Sequence, residues 1–396
     1  MHSSQFIPRL RKLVFLLPLC LLLVSLAQAQ TETVLYSFTG GTDGKIPAGL
    51  VVDAQGNLYG MTQAGGAFGL GTVFEVTSAG QQKVLHSFAG GADGASPSFL
   101  ESLISDASGT LYGTTAKGGA HNLGVVFEIT TAGAEKVLYS FMGADGSNPQ
   151  AGLVRDAHGN LYGTTLSGGA FGAGTVFELR STGQEKVLYS FTGGTDGGGP
   201  MASLVLDAQG NLFGTTTFGG GFRKNCPKQG CGTVFEVTPV GQETVLLEFF
   251  LFDNGVGPEA PLILDGLGNV YGTTFNGGPA GYGLFWKLNS AGQEGSVHYF
   301  HDHNLNGDGG YPIGPVARDA LGNFYGVTYR GGAYNKGIVY EVTPTRVETV
   351  LHNFTGGADG GYPHSGLIVD ANGNFYGTTL SGGASGQGTV FKLTVP

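Results

Sequence analysis

The residues best suited to chemistry lie in one polar stretch, 298–308, which reads His-Tyr-Phe-His-Asp-His-Asn-Leu-Asn-Gly-Asp. Its Asp-x-Asn-x-Asn-Gly run is the start of a calcium loop, in which alternate oxygens converge on one hard cation. The twelfth position of that motif holds Ile313 rather than an acidic residue, which favours a plain polar turn. A calcium site whose ligands are Asp302, Asn304, Asn306 and Asp308 is the alternative.

The same stretch carries three histidines, His298, His301 and His303. Imidazole nitrogens suit transition metals better than calcium, so these side chains offer a second metal hypothesis. If the stretch binds a metal at all, the sequence favours calcium over a transition metal.

Aromatic residues recur in glycine-rich segments whose sequence varies along the chain. Variable loops on a repeated scaffold are where binding usually occurs, and rings spread over one face could stack on sugars. Rings that only cover neighbouring loop backbone are the alternative. The candidate ligand-binding rings are Phe68, Phe171, Phe222, Tyr282, Tyr311, Tyr334 and Tyr362.

An insertion at 218–231 combines two cysteines with basic residues. Cys226 and Cys231 are the two cysteines that follow the N-terminal apolar segment, and an even number in an exported chain favours a disulfide. Arg223 could contact an anionic ligand there, whereas a solvated, stapled insertion is the alternative. A zinc site is disfavoured because no second Cys or His pair lies nearby.

Other irregular residues suggest no defined catalytic group. Arg155 and Arg318 occupy the same strand position in two repeats and could face a channel or pair with a carboxylate. Trp286, the one tryptophan, aligns with a glutamate of other repeats and could be a ligand platform or pack on a rim. No Gly-x-Ser-x-Gly elbow or serine-histidine-aspartate trio is recognisable.

The elements that position these residues come from a repeat. The motif Asp-x-x-Gly-Asn-Leu-Tyr-Gly, first seen at 53–60, returns six times with small changes, and its aromatic residues are 53, 50, 51, 58, 54 and 51 residues apart. A period near 50 residues is typical of propeller blades. The aspartate and glycine of each motif predict a tight hairpin turn rather than a ring of functional carboxylates.

One repeat predicts four short antiparallel strands: A at 49–53, B at 58–62, C at 71–76 and D at 83–88. The chain following the apolar segment opens with a lone D-type strand at 33–38 and finishes with a C strand near 394. Pairing the two would close a ring and protect two exposed edges. We therefore predict an all-β fold, one seven-bladed β-propeller over 30–396, whose N-terminal strand completes the C-terminal blade.

The run Gly-Asn-Leu-Tyr-Gly-Thr-Thr, then Gly-Gly-Ala, then Gly-Thr-Val-Phe-Glu, as at 159–178, resembles the GloVer-type tandem repeats of exported bacterial choice-of-anchor proteins. The resemblance covers nearly the whole chain after the apolar segment. It implies export and carries no activity or catalytic residues. The last strand is followed directly by Pro396, so we expect no C-terminal sorting tail.

Composition supports export and argues against nucleic acid. Residues 1–29 have a basic start, an apolar run and Ala-Gln-Ala, which predicts a Sec signal peptide cleaved after Ala29. The net charge is −10, and loss of a segment with three basic and no acidic residues leaves −13, which disfavours nucleic-acid binding. We expect a secreted or periplasmic monomer without a membrane span.

Function is predicted less sharply than fold. The leading hypothesis is a non-catalytic binding or interaction scaffold for an extracellular carbohydrate or protein. The alternative is an extracellular propeller enzyme, a carbohydrate lyase or hydrolase or a lactonase-like protein, with a calcium-assisted site in the loop that leads into blade 6.

Overall fold

A computed structural model describes residues 30–98, 102–221, 226, 229–301 and 307–395. The proposed signal peptide and its cleavage site after Ala29 lie outside these residues. The chain forms seven antiparallel sheets arranged as the seven blades of a β-propeller. Within the described ranges one short 3-10 helix occurs, Gly91–Asp93, and no helix is long and apolar enough to cross a bilayer.

Each blade has an inner strand A, two middle strands B and C, and an outer strand D. The A strands are β2 (Lys45–Val52), β6 (Ala95–Pro97) with β7 (Ile104–Ser105), β11 (Val154–Arg155), β15 (Val205–Leu206), β19 (Ile263–Leu264), β23 (Gly309–Arg318) and β27 (Gly361–Pro363) with β28 (Ile368–Val369). The B strands are β3 (Leu58–Ala64), β8 (Leu111–Lys117), β12 (Leu161–Thr165), β16 (Leu212–Thr216), β20 (Val270–Thr274), β24 (Phe324–Gly331) and β29 (Phe375–Ser381).

The C strands are β4 (Thr72–Val76), β9 (Val125–Ile129), β13 (Thr175–Leu179), β17 (Thr233–Val237), β21 (Leu284–Leu288), β25 (Ile338–Val342) and β30 (Thr389–Thr394). The D strands are β5 (Gln82–Ser87), β10 (Glu135–Ser140), β14 (Glu185–Ser190), β18 (Glu243–Glu248), β22 (Glu294–Tyr299), β26 (Glu348–Asn353) and, for blade 7, β1 (Thr31–Ser37). In blade 1 the A strand begins at Lys45, earlier than the sequence predicts, because it continues past a bulge to pair with the end of β3.

The predicted closure is confirmed. Strand β1 pairs antiparallel with β30, with Thr31 opposite Thr394 and Ser37 opposite Thr389. The first strand of the described chain is therefore the outer strand of blade 7, and the two ends of the chain share one sheet.

Aromatic rings join each blade to the next. The phenylalanine that follows a D strand packs edge-on against the aromatic residue of the next blade's C strand, as in Phe38 on Phe74, whose ring centroids are 5.1 Å apart. The same contact recurs at Phe88–Phe127, Phe141–Phe177, Phe191–Phe235, Phe249–Trp286, Phe300–Tyr340 and Phe354–Phe391. These fully buried pairs form the core of the ring.

The glycine of the Leu-Tyr-Gly motif makes room for these rings. A Cβ atom on Gly60 would lie 2.7 Å from Cζ of Phe74, and one on Gly272 would lie 2.6 Å from the Trp286 ring. Trp286 therefore occupies the phenylalanine position of strand C and is fully buried. Its alignment with a glutamate was wrong, since Lys287 holds that position opposite Tyr271.

The repeated aspartates cap the A-to-B turns, as the sequence predicts. Oδ1 of Asp53 accepts hydrogen bonds from the backbone N–H groups of Gln55 and Asn57 at 2.9 and 2.8 Å, and Tyr59 donates its hydroxyl to Oδ2 at 3.2 Å. Gly56 completes the turn with a φ of 82°.

Candidate functional site

The two variable connections of each blade meet on one side of the ring, which we call the loop face. In blade 1 the backbone N–H of Gly66, in the B-to-C loop, donates to the carbonyl of Gly41, in the loop that leads into strand A, at 2.9 Å. Gly65 has a φ of 80°, and a Cβ there would lie 2.7 Å from Cα of Gly44. The loop face is therefore a tightly packed backbone platform whose side chains differ from blade to blade.

The structure divides the predicted aromatic residues into two groups. Phe68, Phe171 and Tyr334 are 61%, 64% and 58% exposed, and none of them forms a ring pair with another aromatic residue of the described chain. Tyr282, Tyr311 and Tyr362 instead belong to a group of contacting rings. Phe222 and Arg223 lie outside the described residues.

Five rings from blades 5, 6 and 7 form this group, which we call the aromatic site: Phe275, Tyr282, Tyr311, Tyr329 and Tyr362. Tyr311 lies 5.2 Å from Phe275 and 5.6 Å from Tyr282, between ring centroids. Tyr329 lies 6.3 Å from Phe275 and 5.2 Å from Tyr362. All five are partly exposed, so each ring of the group has part of its surface in contact with solvent.

Sequence reasoning missed Phe275 and Tyr329. Both directly follow the Thr that ends the motif of strand B, where other blades hold Gln63, Ala116, Leu166, Thr217 and Leu380. An aromatic residue at this position in two successive blades was the signal that could have identified them.

Two of the rings stand on backbone that side chains rarely adopt. Tyr311 and Tyr362 have φ values of 63° and 57°. The equivalent residues of the other blades are also left-handed and are Ile46, Ser96, Asn148, Gly199 and Gly257. A bulky side chain in this region is costly, and such strain concentrates at functional sites.

Basic side chains flank the aromatic site. Nζ of Lys336 donates to the hydroxyl of Tyr362 at 2.8 Å and lies 4.6 Å from that ring's centroid. The guanidinium of Arg330 lies 5.7 Å from the ring centroid of Tyr329. A cavity of about 210 Å³ opens beside them, lined by Tyr282, His301, Gly310, Tyr311, Arg330, Gly331 and Asn335.

All seven blades have a proline at the same position near the start of the inner strand A. The residue that follows this proline differs in every blade. The seven residues are Ala48, Ser98, Gln150, Met201, Glu259, Ile313 and His364. Met201 of blade 4 packs against the cluster that contains Ile313 of blade 6, so these positions converge near the axis. Burial raises the pKa of Glu259, the one carboxylic acid of the set.

A second set of polar groups lies between successive outer strands, at sites we call junctions. Each junction combines a D-strand side chain of one blade, an Asp or Asn in the loop that follows, and a Glu or Gln at the start of the next blade's D strand. The D-strand members are Tyr36, His86, Tyr139, Tyr189, Leu247, His298 and His352, and the loop members are Asp43, Asp93, Asp145, Asp196, Asn254, Asp308 and Asp359.

A β-bulge precedes the D-strand member of each junction. In β5 the register shifts so that Phe74 faces Val84 and Val73 faces His86, leaving Leu85 unpaired. Bulges re-aim side chains, and this one directs residue 86 toward the loop. Three junctions are closed by a tyrosine hydroxyl that donates to the aspartate, with O–O distances of 2.9, 2.5 and 3.0 Å for Tyr36, Tyr139 and Tyr189.

Glutamates complete the junctions. Burial, together with the charge of the loop aspartate, raises the pKa of Glu32, Glu135, Glu185 and Glu243 to about 7. Burial and Asp308 likewise raise the pKa of Glu348 to about 7, while His298 and His301 oppose the rise.

The calcium prediction is only partly within the described chain. Asp302, Asn304 and Asn306 lie outside it. Asp308 is 4% exposed and contacts His301, whose Nδ1 lies 3.2 Å from Asp308 Oδ2. It therefore belongs to the junction of blades 5 and 6, beside the imidazole of His301.

Two other predicted features are now defined. Cys226 and Cys231 form a disulfide. The guanidinium of Arg155 lies over the Tyr112 ring at 5.8 Å, and that of Arg318 lies over the Tyr271 ring at 5.7 Å and 3.9 Å from Asp265 Oδ2. Both arginines contact the preceding blade, on the side opposite the loop face.

Solved structures share the fold at low sequence identity. The extracellular domain of a protein assigned to the one-component systems of B. thetaiotaomicron aligns with a TM-score of 0.57 and 9% identity, over 92% of this chain and 40% of that one. An extracellular domain assigned to a hybrid two-component system of B. thetaiotaomicron has a TM-score of 0.57 and 13% identity, over 91% and 41%.

PorZ, a surface component of the type-IX secretion system of Porphyromonas gingivalis, has a TM-score of 0.51 and 14% identity, over 90% of this chain and 47% of PorZ. The chain thus spans less than half the length of each of these proteins, and the likeness concerns the fold alone. No curated protein matches the chain in sequence.

A family model describes almost the entire sequence. The Gloeobacter/Verrucomicrobia repeat matches residues 22–226 and 221–396. The repeat seen in the sequence is therefore the repeat of a known family, and the chain belongs to the Gloeobacter/Verrucomicrobia repeat family.

Proposed function

We propose that the protein is an exported, non-catalytic propeller that binds carbohydrate at the aromatic site. The observation that carries the proposal is the convergence of five rings from three successive blades on one partly exposed surface. Aromatic faces pack against apolar ring surfaces, and tyrosine hydroxyls add hydrogen-bonding groups at their edges. Sugars present apolar ring faces as well as hydrogen-bonding hydroxyl groups.

The surroundings of the rings support this ligand class. Binding sites combine aromatic lining with a few convergent polar groups, and here Arg330, Lys336 and Asn335 supply hydrogen-bond donors. The adjoining cavity of about 210 Å³ is smaller than the roughly 300–1,000 Å³ of drug-sized pockets. It suits one sugar residue of a longer glycan whose neighbours lie across the rings.

Binding is favoured over hydrolysis by the residues at the axis. Glycoside hydrolysis generally uses two carboxylic acids on either side of the bond to be cleaved. The seven axial positions contain one, Glu259. Export through the segment 1–29 would deliver the protein to extracellular glycans, and the intact mass of the secreted protein would test cleavage after Ala29.

The proposal is tested by screening the protein from residue 30 onward on a glycan array and measuring the best ligand by calorimetry. Tyr329→Ala and Tyr362→Ala should each weaken binding roughly tenfold, because loss of one stacked ring costs about 1.5 kcal/mol. Phe68→Ala and Phe171→Ala remove exposed rings outside the aromatic site and should leave affinity unchanged. An array without ligands, or equal losses in both pairs of variants, would contradict the proposal.

A further inference from the structure

The junction between blades 5 and 6 differs from the others in its side chains. His298 is the last residue but one of the outer strand of blade 5, His301 and Asp308 lie in the loop that follows, and Glu348 begins the outer strand of blade 6. One ligand atom from each of His298, Asp308 and Glu348 lies within 4.8 Å of the other two. His298 Nε2 is 3.6 Å and His301 Nδ1 is 3.2 Å from Oδ2 of Asp308.

Three buried polar atoms of this junction have no hydrogen-bond partner among the described residues. They are Nε2 of His298, Oδ1 of Asp308 and Oε1 of Glu348. Asp308 is 4% exposed, so bulk water has little access to hydrogen-bond with its carboxylate. An unpaired buried polar atom costs about 1–3 kcal/mol. The equivalent glutamate Oε1 is also unpartnered at other junctions, and so is His352 Nε2, so the unpartnered oxygen of Asp308 is what distinguishes this junction within the described residues.

Other junctions satisfy their aspartate in a way that this one lacks. In blade 3, Asp196 accepts from the Tyr189 hydroxyl at 3.0 Å and from the backbone N–H and the hydroxyl of Thr192. In the junction of blades 5 and 6, His298 stands at the tyrosine position and His301 at the threonine position. Two neutral hydroxyl donors are thus replaced by two imidazoles.

We propose that His298, Asp308 and Glu348, with His301 as the fourth ligand, bind a zinc ion. Imidazole and carboxylate groups in a set of four are zinc ligands, whereas calcium takes six to eight oxygens. A tetrahedral zinc with bonds of 2.0–2.1 Å has ligand atoms about 3.3 Å apart. The 3.6 Å separation of His298 Nε2 from Asp308 Oδ2, and the 3.2 Å hydrogen-bonded separation of His301 Nδ1 from the same oxygen, are close to that edge.

A metal here would link two blades. His298, His301 and Asp308 belong to blade 5 and its following loop, and Glu348 belongs to blade 6. The His298 ring packs on Phe300 at 4.7 Å, and Phe300 packs on Tyr340 of blade 6 at 5.1 Å. Zinc would therefore stabilise the contact between these blades, and this inference does not rest on carbohydrate binding.

Junction 1/2 also contains His, Asp and Glu side chains, His86, Asp93 and Glu135. There, however, His86 Nε2 and Asp93 Oδ1 form a hydrogen bond of 2.9 Å, so among the described residues of this trio the one unpartnered buried atom is Glu135 Oε1. The backbone N–H of Ala89 donates to the other oxygen of Asp93 at 2.6 Å. This junction is therefore a natural control.

The test uses tag-free protein from residue 30 onward, stripped with a chelator and dialysed. Titration with zinc chloride, followed by metal analysis after desalting, should give one tightly held zinc per chain and a rise in Tm of several degrees. Cobalt(II) should give the visible absorption of a tetrahedral complex. Absence of bound zinc at micromolar free metal, or an equal Tm rise with calcium, would overturn the proposal.

Matched variants locate the site. His298→Tyr restores the residue found in three other junctions, so it should fold normally and lose the zinc and the Tm rise. Glu348→Gln should also lose them, whereas Glu185→Gln at the same position of blade 3 and His86→Tyr should retain both. Retention in His298→Tyr, or loss in His86→Tyr instead, would refute the assignment.

Discussion

Deletion of residues 30–38 should open the ring. These residues include β1, which supplies the outer strand of blade 7, and Phe38, which is fully buried against Phe74 of blade 1. Losing the buried ring costs about 3–5 kcal/mol, and losing its edge-to-face pair costs about 0.5–1.5 kcal/mol more. Strand β30 would also become an unpaired edge, which promotes aggregation.

A loss near 5 kcal/mol is a large part of the roughly 5–15 kcal/mol that stabilises a typical folded protein. With an unfolding entropy of about 2.1 cal/mol/K per residue over about 365 residues, it corresponds to a Tm lower by about 6 °C or more. Differential scanning calorimetry measures the shift, and size-exclusion chromatography detects association through the exposed edge.

A circular permutant provides the control. In blade 7, Leu393 of β30 faces Glu32 of β1, and in blade 1, Val76 of β4 faces Gln82 of β5. The C and D strands of the two blades therefore pair in the same register. Five residues, 77–81, make that turn in blade 1. Joining Thr394 to Thr31 through Ser-Ala-Gly reproduces it, with new ends opened after Gly40. The permutant should recover most of the lost stability, and a deletion variant as stable as the parent protein would refute the closure argument.

Two further predictions concern the repeat itself. Gly163→Ala should lower Tm by about 1–4 °C, because its Cβ would lie 2.7 Å from Phe177 Cζ and overpacking costs about 1–3 kcal/mol. A Cβ at Gly295 meets no atom within 4 Å, so the control variant Gly295→Ala should change Tm little. Equal Tm shifts for the two variants in calorimetry would contradict this prediction. Burial and the charge of Asp196 raise the pKa of Glu243 from 4.5 to about 7, so its contribution to stability is full below pH 4.5 and is lost as pH rises through 7. Glu243→Gln should therefore raise Tm at pH 8 and leave it unchanged at pH 4, and melting curves at the two pH values would expose an error in this sign.

The fold could be predicted because its determinants are local and repeated. Each turn aspartate bonds amides of its own turn, each C-strand aromatic residue faces the glycine of the neighbouring B strand, and seven copies make the pattern plain. Strand A was predicted too short at its start because its outer part pairs beyond a bulge, which no periodicity reveals. Trp286 was misaligned because blade 5 changes two neighbouring residues at once.

The candidate sites were predicted less completely, because they form between blades. Tyr282, Tyr311 and Tyr362 were identified as irregular aromatic residues, yet their contact through Phe275 and Tyr329 depends on three blades meeting at the loop face. Glu348 is a regular member of its strand and carries no signal of its own. It becomes a candidate ligand only because the ring brings it to His298, fifty residues earlier in sequence.

The two sites meet at His301. Its ring contacts Asp308 in the junction of blades 5 and 6, and the residue also lines the cavity beside Tyr282 and Tyr311. A zinc ion bound through His301 would fix one wall of that cavity. The affinity for glycan should therefore depend on whether zinc is bound, and the affinity for zinc on whether glycan is bound. Linkage requires the effect to be reciprocal: if zinc tightens glycan binding by some factor, the glycan must tighten zinc binding by the same factor. Calorimetric titrations of each ligand with and without the other would measure this factor twice, and a factor of one in both would show that the two sites are not coupled.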